Sequence, residues 1–131
     1  DMKDYLFVIK KEYYKKNDQY LYKMLENLKF MNRENYNYGF SIYHNMCFFF
    51  NDTIIKIYLS KKYDLQCVDD TYYFFDDTSL KITKSYALIK TKKHLRELLC
   101  VFYIYHKDIF VCNFDTKEYF WLKEKITYNY A

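Results

Sequence analysis

Tyr38-Gly39-Phe40-Ser41-Ile42-Tyr43-His44-Asn45-Met46-Cys47-Phe48-Phe49-Phe50-Asn51-Asp52-Thr53-Ile54-Ile55-Lys56-Ile57-Tyr58 reads as three antiparallel strands joined by tight turns. Gly39, the one glycine of the chain, stands near its head. Ser41, Tyr43 and Asn45 alternate with Phe40, Ile42 and His44, the period of a half-buried strand, and His44-Asn45 marks the first turn. A dense aromatic run then meets Asn51-Asp52, residue types whose side chains hydrogen-bond their own backbone in turns. Downstream, Leu65-Gln66-Cys67-Val68, the Asp69-Asp70 turn and Tyr72-Tyr73-Phe74-Phe75 repeat the hairpin pattern. Residues 79–90 supply the last strand and the approach to a helix.

The flanks carry the longer period of helices. Leu21, Met24, Leu25 and Leu28 follow Asp18 at helical spacing, which predicts an amphipathic helix over residues 18–29. Leu95, Leu98, Leu99 and Phe102 predict a second helix over residues 92–106. A rival reading exists there, because Val101-Phe102-Tyr103-Ile104-Tyr105 and Ile109-Phe110-Val111-Cys112 are strong strand formers around His106-Lys107-Asp108. That rival is a hairpin over residues 92–113, in which the helix is short or absent.

A chain of 131 residues with 51% hydrophobic content can bury one core and hardly two. Its 18 tyrosines and 12 phenylalanines, with no proline, fit the bias of an AT-rich genome as well as any function, so most are assigned to core and strands. A net charge of +4 is mild, and Lys10, Lys11, Lys15 and Lys16 read as a solvated face. No apolar run approaches the ~20 residues that cross a bilayer, and no signal peptide is evident, so the expected setting is soluble and intracellular, with no membrane partner. The Asp1-Met2 start suggests a piece of a longer protein. Cys47, Cys67, Cys100 and Cys112 lack a short pairing, and three sit in apolar runs, so free buried thiols are expected. His44 and Cys47 lack the second ligand pair of a tetrahedral metal site.

One motif resembles a catalytic loop. His106-Lys107-Asp108-Ile109 followed by Asn113 has the spacing with which protein kinases present a base and a magnesium ligand. Phosphoryl transfer also needs a glycine-rich cover and an Asp-Phe-Gly segment, and neither occurs in this sequence. Asp69-Asp70 and Asp76-Asp77 read as turns, because adjacent residues of a strand point to opposite faces. The expectation is a chain that is not an enzyme, with no cofactor, no metal and no small-molecule ligand.

Tyr38-Gly39-Phe40, Phe50-Asn51-Asp52, Ile57-Tyr58, Leu65-Gln66 and Tyr73-Phe74 follow one another in an order that resembles a polo box, the non-catalytic module of polo-like kinases and related scaffolds. The resemblance covers about the middle half of the chain. It implies an α+β fold, an antiparallel six-stranded sheet crossed by one helix with an N-terminal helical flank. The corresponding boundaries are a cap-like flank at 1–35, the box at 36–110 and a C-terminal segment at 111–131. It implies a targeting module that dimerises or docks peptides at a centrosome, basal body or kinetochore, with a protein partner, a second copy or a second box. Lys29, Phe30 and Tyr38 are then the peptide-binding candidates, Phe30 standing where the family has a tryptophan, and Phe48, Phe50, Tyr73, Phe102 and Trp121 the interface candidates. Phosphopeptide recognition is doubtful for this piece alone, which has no His-x-Lys pair in the matched region. Phe120-Trp121-Leu122-Lys123-Glu124-Lys125 resembles the lead-in to a second box, or is an amphipathic end packed on the sheet. Two rival functions are a sheet that stacks single-stranded nucleic acid on Tyr43, Tyr58 and Tyr73, which the weak charge disfavours, and a ligand-free structural domain of a scaffold.

Overall fold

Asp4-Tyr5-Leu6-Phe7-Val8-Ile9 lies in the strand β1 (Lys3–Lys10), at the centre of the sheet. The computed structural model describes residues 2–10, 18–34 and 47–130. Tyr5 through Ile9 are all buried, and this run without alternation is what a strand covered on both faces requires. The flank expected over 1–35 therefore contains a central strand before its helix, α1 (Asp18–Glu34).

The remaining strands are β2 (Cys47–Phe48), β3 (Gln66–Val68), β4 (Thr71–Phe74), β5 (Thr78–Thr83), β6 (Tyr86–Thr91), β7 (Ile109–Asn113) and β8 (Glu118–Trp121). They form an eight-stranded sheet of order β3-β4-β5-β6-β1-β7-β8, with β2 paired to the end of β1, and every pairing is antiparallel. The class is α+β with an antiparallel sheet, as expected, and the strand count exceeds the expected six. Residues 79–90 hold most of two strands, β5 and β6, in place of one. The boundary expected at residue 110 falls inside β7, and both β7 and β8 belong to the same sheet.

The deciding stretch departs from its reading. Residues 38–46, with the His44-Asn45 turn, lie outside the described residues. Residues 52–60 form a helix, α2 (Asp52–Ser60), where a third strand was expected. Asn51 is its N-cap, its side chain accepting from the Ile54 N–H at 3.1 Å, and Asp52 stands in the first turn, where the helix dipole favours a carboxylate. Ile55 and Leu59, one turn apart, are fully buried, and that packing overrides the strand preference of Ile54, Ile55 and Ile57. The Tyr72 hydroxyl donates to the Asp52 carboxylate, 3.1 Å from each oxygen, and fastens α2 to β4. Burial and that carboxylate push the Tyr72 hydroxyl up to about 12.

The hairpin at Asp69-Asp70 is present as expected, and both residues have positive φ, 50° and 64°, as a type I′ turn requires. The helix α3 (Leu95–Tyr105) also forms, burying Leu98, Leu99, Val101 and Phe102. Its rival hairpin does not, because β7 pairs with β1 and leaves residues 101–105 no partner strand. A last helix, α4 (Leu122–Tyr130), follows β8.

Two hydrophobic layers sandwich the middle of the sheet. On one face Phe7, Leu80, Ile89 and Val111 pack with Ile55, Leu59, Leu98, Phe102 and Leu122 from α2, α3 and α4. Phe102 sits edge-on to Phe7 at 5.0 Å and to Phe50 at 6.0 Å. On the opposite face Leu6, Val8, Phe110 and Cys112 pack with Leu21, Tyr22, Leu25 and Leu28 of α1.

Candidate functional site

The α1 layer stops partway across the sheet. Directly opposed residues of antiparallel strands share a face, so Tyr119, Cys112, Leu6, Leu88, Lys81 and Thr71 form one continuous row on the α1 side. Leu6 is 4% exposed and its cross-strand neighbour Leu88 is 43% exposed. A second row runs Asp4, Lys90, Ser79, Tyr73 and Gln66. Over β4, β5 and β6 these rows line a trough of about 480 Å³. Its apolar walls are Met2, Tyr73, Phe75 and Leu88, each at least two-fifths exposed, and Lys81 and Lys90 stand among them. Among the described residues this is the half of the α1-side face with its apolar side chains in solvent.

The rim of the trough is tied by hydrogen bonds. Asp77, in the β4–β5 turn, accepts from Thr78 Oγ1 at 2.8 Å and from the backbone N–H groups of Lys92 and Lys93 at 3.2 and 3.1 Å. Its Oδ1 also meets His94 Nδ1 at 2.6 Å. Burial opposes the Asp77 charge, but the bonds from Thr78, His94 and Lys93 outweigh it and hold the carboxyl at about 2. His94 stacks on Phe75 with ring centroids 4.0 Å apart, and Phe75 holds a positive φ of 52° to present that face. The turn is thus clamped to the start of α3. This aspartate–histidine pair is a fastener by its geometry: its carboxylate is consumed by backbone and hydroxyl donors that bridge β5, β6 and α3.

The residues proposed from sequence separate into distinct environments. Tyr38 lies outside the described residues, and Lys29 and Phe30 fall on the last turns of α1. Phe50 and Phe102, expected at an interface, are core residues at 7% and 0% exposure, because α3 carries Phe102 onto Phe7 of the sheet and Phe50 packs against it. Phe48 and Tyr73 are exposed, and Tyr73 alone of the five lines the trough. Trp121 packs against Phe110 at 4.9 Å, and its Nε1 donates to Asp18 Oδ1 at 2.9 Å, tying β8 to the start of α1. Of the aromatics offered as a stacking platform, Tyr43 is not among the described residues, Tyr58 is half-buried on α2, and Tyr73 remains.

Leu88, Lys81 and Lys90 were missed by sequence reading. The alternation of Ala87, Leu88, Ile89 and Lys90 carried the signal, since Ala87 and Ile89 are buried and their neighbours point away.

The kinase-like spacing also resolves into structure. His106 is the C-cap of α3, and Asn113 is buried with its Oδ1 accepting from the Asp115 and Thr116 N–H groups at 3.0 and 3.2 Å. Cys47 and Cys112 are buried and outside any disulfide, burial pushing the Cys112 thiol up, whereas Cys100 is half-buried and Cys67 is exposed. Another cavity, about 340 Å³, lies between β1, α3, β8 and α4 beside Arg96, Glu118 and Lys125. Among the described residues no cluster of His, Cys, Asp or Glu has metal-binding geometry, and no helix is long and apolar enough to cross a membrane. No protein-family model matches the chain, and no curated protein matches it significantly.

Proposed function

We propose that the chain is a protein-interaction module whose docking surface is the bare half of the α1-side face, over β4, β5 and β6. The observation that carries this reading is the Leu6–Leu88 pair, adjacent on one face with a helix over one member and solvent over the other. Exposed apolar patches rimmed by polar side chains mark partner surfaces. The neighbouring half defines the kind of segment that fits: α1 lays Leu21, Leu25 and Leu28 onto the sheet, so an amphipathic helix beside it would cover Leu88, Tyr73 and Phe75 in the same manner. Lys81 and Lys90 stand in the trough together with Asp76 and Asp77, and because the Asp77 carboxylate is already taken up by Thr78, His94 and two backbone N–H groups, acidic residues flanking the apolar stripe would meet the two lysines. The occupant is an acidic amphipathic helix of another protein. The polo-box resemblance implies the same kind of role, non-catalytic targeting at a centrosome, basal body or kinetochore, while two of the stretches that carry it, Asn51-Asp52 and Ile57-Tyr58, cap and form a helix here.

Peptides selected from a random display library against the folded domain test this directly. Acidic amphipathic sequences should dominate, and Leu88→Glu should abolish their binding while the melting temperature holds. Selected peptides that bind the Leu88→Glu variant equally well would refute the docking face. Salt-dependent binding of single-stranded oligonucleotides through Tyr73, without peptide binding, would favour the stacking platform instead.

A further inference from the structure

The cavity between β1, α3, β8 and α4 lies on the face of the sheet opposite the trough, and its lining carries charges of both signs. Its floor is a cross-strand row. The β1–β7 register, continued one residue past Leu6 and Cys112, sets Tyr5 across from Asn113, and Asn113 pairs in turn with Glu118 on β8. Tyr5 and Leu99, each 6% exposed, close the bottom. Leu95, one turn before Leu99, and Phe120, one row in from Glu118, are half-buried apolar walls. At about 340 Å³ the space is within the range of small-ligand sites.

The mouth is polar. Glu118 comes from β8, Arg96 from α3 and Lys125 from α4, and all three are exposed. The Lys125 Nζ lies over the Phe120 ring, 5.1 Å from its centroid. Glu118 accepts from Thr116 Oγ1 at 3.4 Å, and among the described residues neither Glu118 nor Lys125 forms an ion pair. Opposite charges share one mouth without meeting. Beside Glu118, burial and the neighbouring carboxylate push the Tyr5 hydroxyl up, against the pull of the Asn113 side chain, so it stays neutral. Glu118 would repel an anion, Arg96 and Lys125 would repel a cation, and a purely apolar molecule would use none of the three. A small head carrying both charges, with an apolar tail, satisfies every group.

We infer that this cavity binds a free α-amino acid with an apolar side chain, of the size of leucine or phenylalanine. Its ammonium meets Glu118 and the Tyr5 hydroxyl oxygen, its carboxylate meets Arg96 and Lys125, and its side chain lies among Leu95, Leu99 and Phe120. This goes beyond the docking face, since the cavity belongs to the layer of α3 and α4, whereas Leu88 and Tyr73 face the α1 side.

Isothermal titration of the full chain with L-phenylalanine and L-leucine tests this, beside two analogues that each lack one charge. Phenylpropionate lacks the ammonium, and phenethylamine lacks the carboxylate. Both amino acids should bind saturably, and each analogue should bind more weakly than phenylalanine by about tenfold or more, the worth of a charged hydrogen bond. Variants divide the head in the same way. Glu118→Gln should weaken phenylalanine by about tenfold and leave phenylpropionate no weaker, whereas Lys125→Gln should weaken phenylalanine and leave phenethylamine no weaker. Both side chains are exposed, so an unchanged melting temperature should accompany these losses. Phenylpropionate binding as tightly as phenylalanine, phenylalanine binding indifferent to both variants, or no binding of either amino acid at millimolar concentration would overturn the inference. Leu88→Glu, on the other face, should leave phenylalanine binding unchanged, which separates failure of the cavity from failure of the docking face.

Discussion

Leu6 and Leu88 face each other across β1 and β6, yet one lies beneath α1 and the other in solvent. The strands around both are regular, and both are leucines on the same face. What separates them is the extent of one helix: α1 reaches β1, β7 and β8, where Tyr22 stacks on Tyr119 at 4.9 Å and Trp121 holds Asp18. Beyond β1 the same face carries lysines, a tyrosine and a bare leucine. The half beneath α1 buries its side chains, and the half that leaves them bare is the one we propose as the partner surface.

Substitution should break the two halves apart. Leu6→Ala should destabilise by about 2–5 kcal/mol in denaturant unfolding, because it removes buried methyls and leaves a cavity under α1. A smaller loss would mean that α1 lies loosely on the sheet. Asp77→Ala, which unfastens the rim of the bare half, should cost roughly 1–2 kcal/mol through its lost backbone hydrogen bonds. Its pH signature has a fixed sign. Asp77 is held at about 2 in the fold against an ordinary 3.8, so its contribution is complete above pH 4 and is lost as pH falls toward 2. In Asp77→Asn the acid-side loss of stability over that window should be smaller than in the parent chain.

The clasp between α1 and β8 is a finer test. Trp121→Phe keeps a ring against Phe110 but deletes the Nε1 bond to Asp18, and should cost about 1 kcal/mol by thermal or chemical unfolding. Leu88→Ala, on the bare half, should shift stability by no more than about 0.5 kcal/mol. A larger loss there would show that Leu88 is already covered in solution, and the contrast with Leu6 would fail.

Sequence made some of this legible for physical reasons. Asp69-Asp70 announced its hairpin because few residue pairs tolerate positive φ twice in succession, and α1 and α3 announced themselves through apolar spacing. The strand β1 was overlooked because a continuous apolar run has no period to detect, although such a run is what a doubly covered strand requires. In residues 52–60 the β-branched residues spoke for a strand, and the contrary signal was the cap chemistry of Asn51-Asp52, read as a turn because the same side-chain bonds serve both. Phe50 and Phe102 were misplaced for a related cause: aromatic content identifies buried area but does not say whether a helix or a partner supplies the cover. Alternation likewise assigns Leu88 to a face, and only the reach of α1 shows that this part of the face is bare.

The most direct measurement is a backbone-amide NMR titration of the domain with a synthetic acidic amphipathic helix carrying leucines at one-turn spacing. Saturable shifts are expected at Tyr73, Ser79, Leu88 and Lys90, with loss of those shifts on Leu88→Glu and little change at Leu6, Val8 and Phe110 beneath α1. Shifts centred under α1, or none at Leu88 while the peptide binds elsewhere, would contradict the proposed docking face.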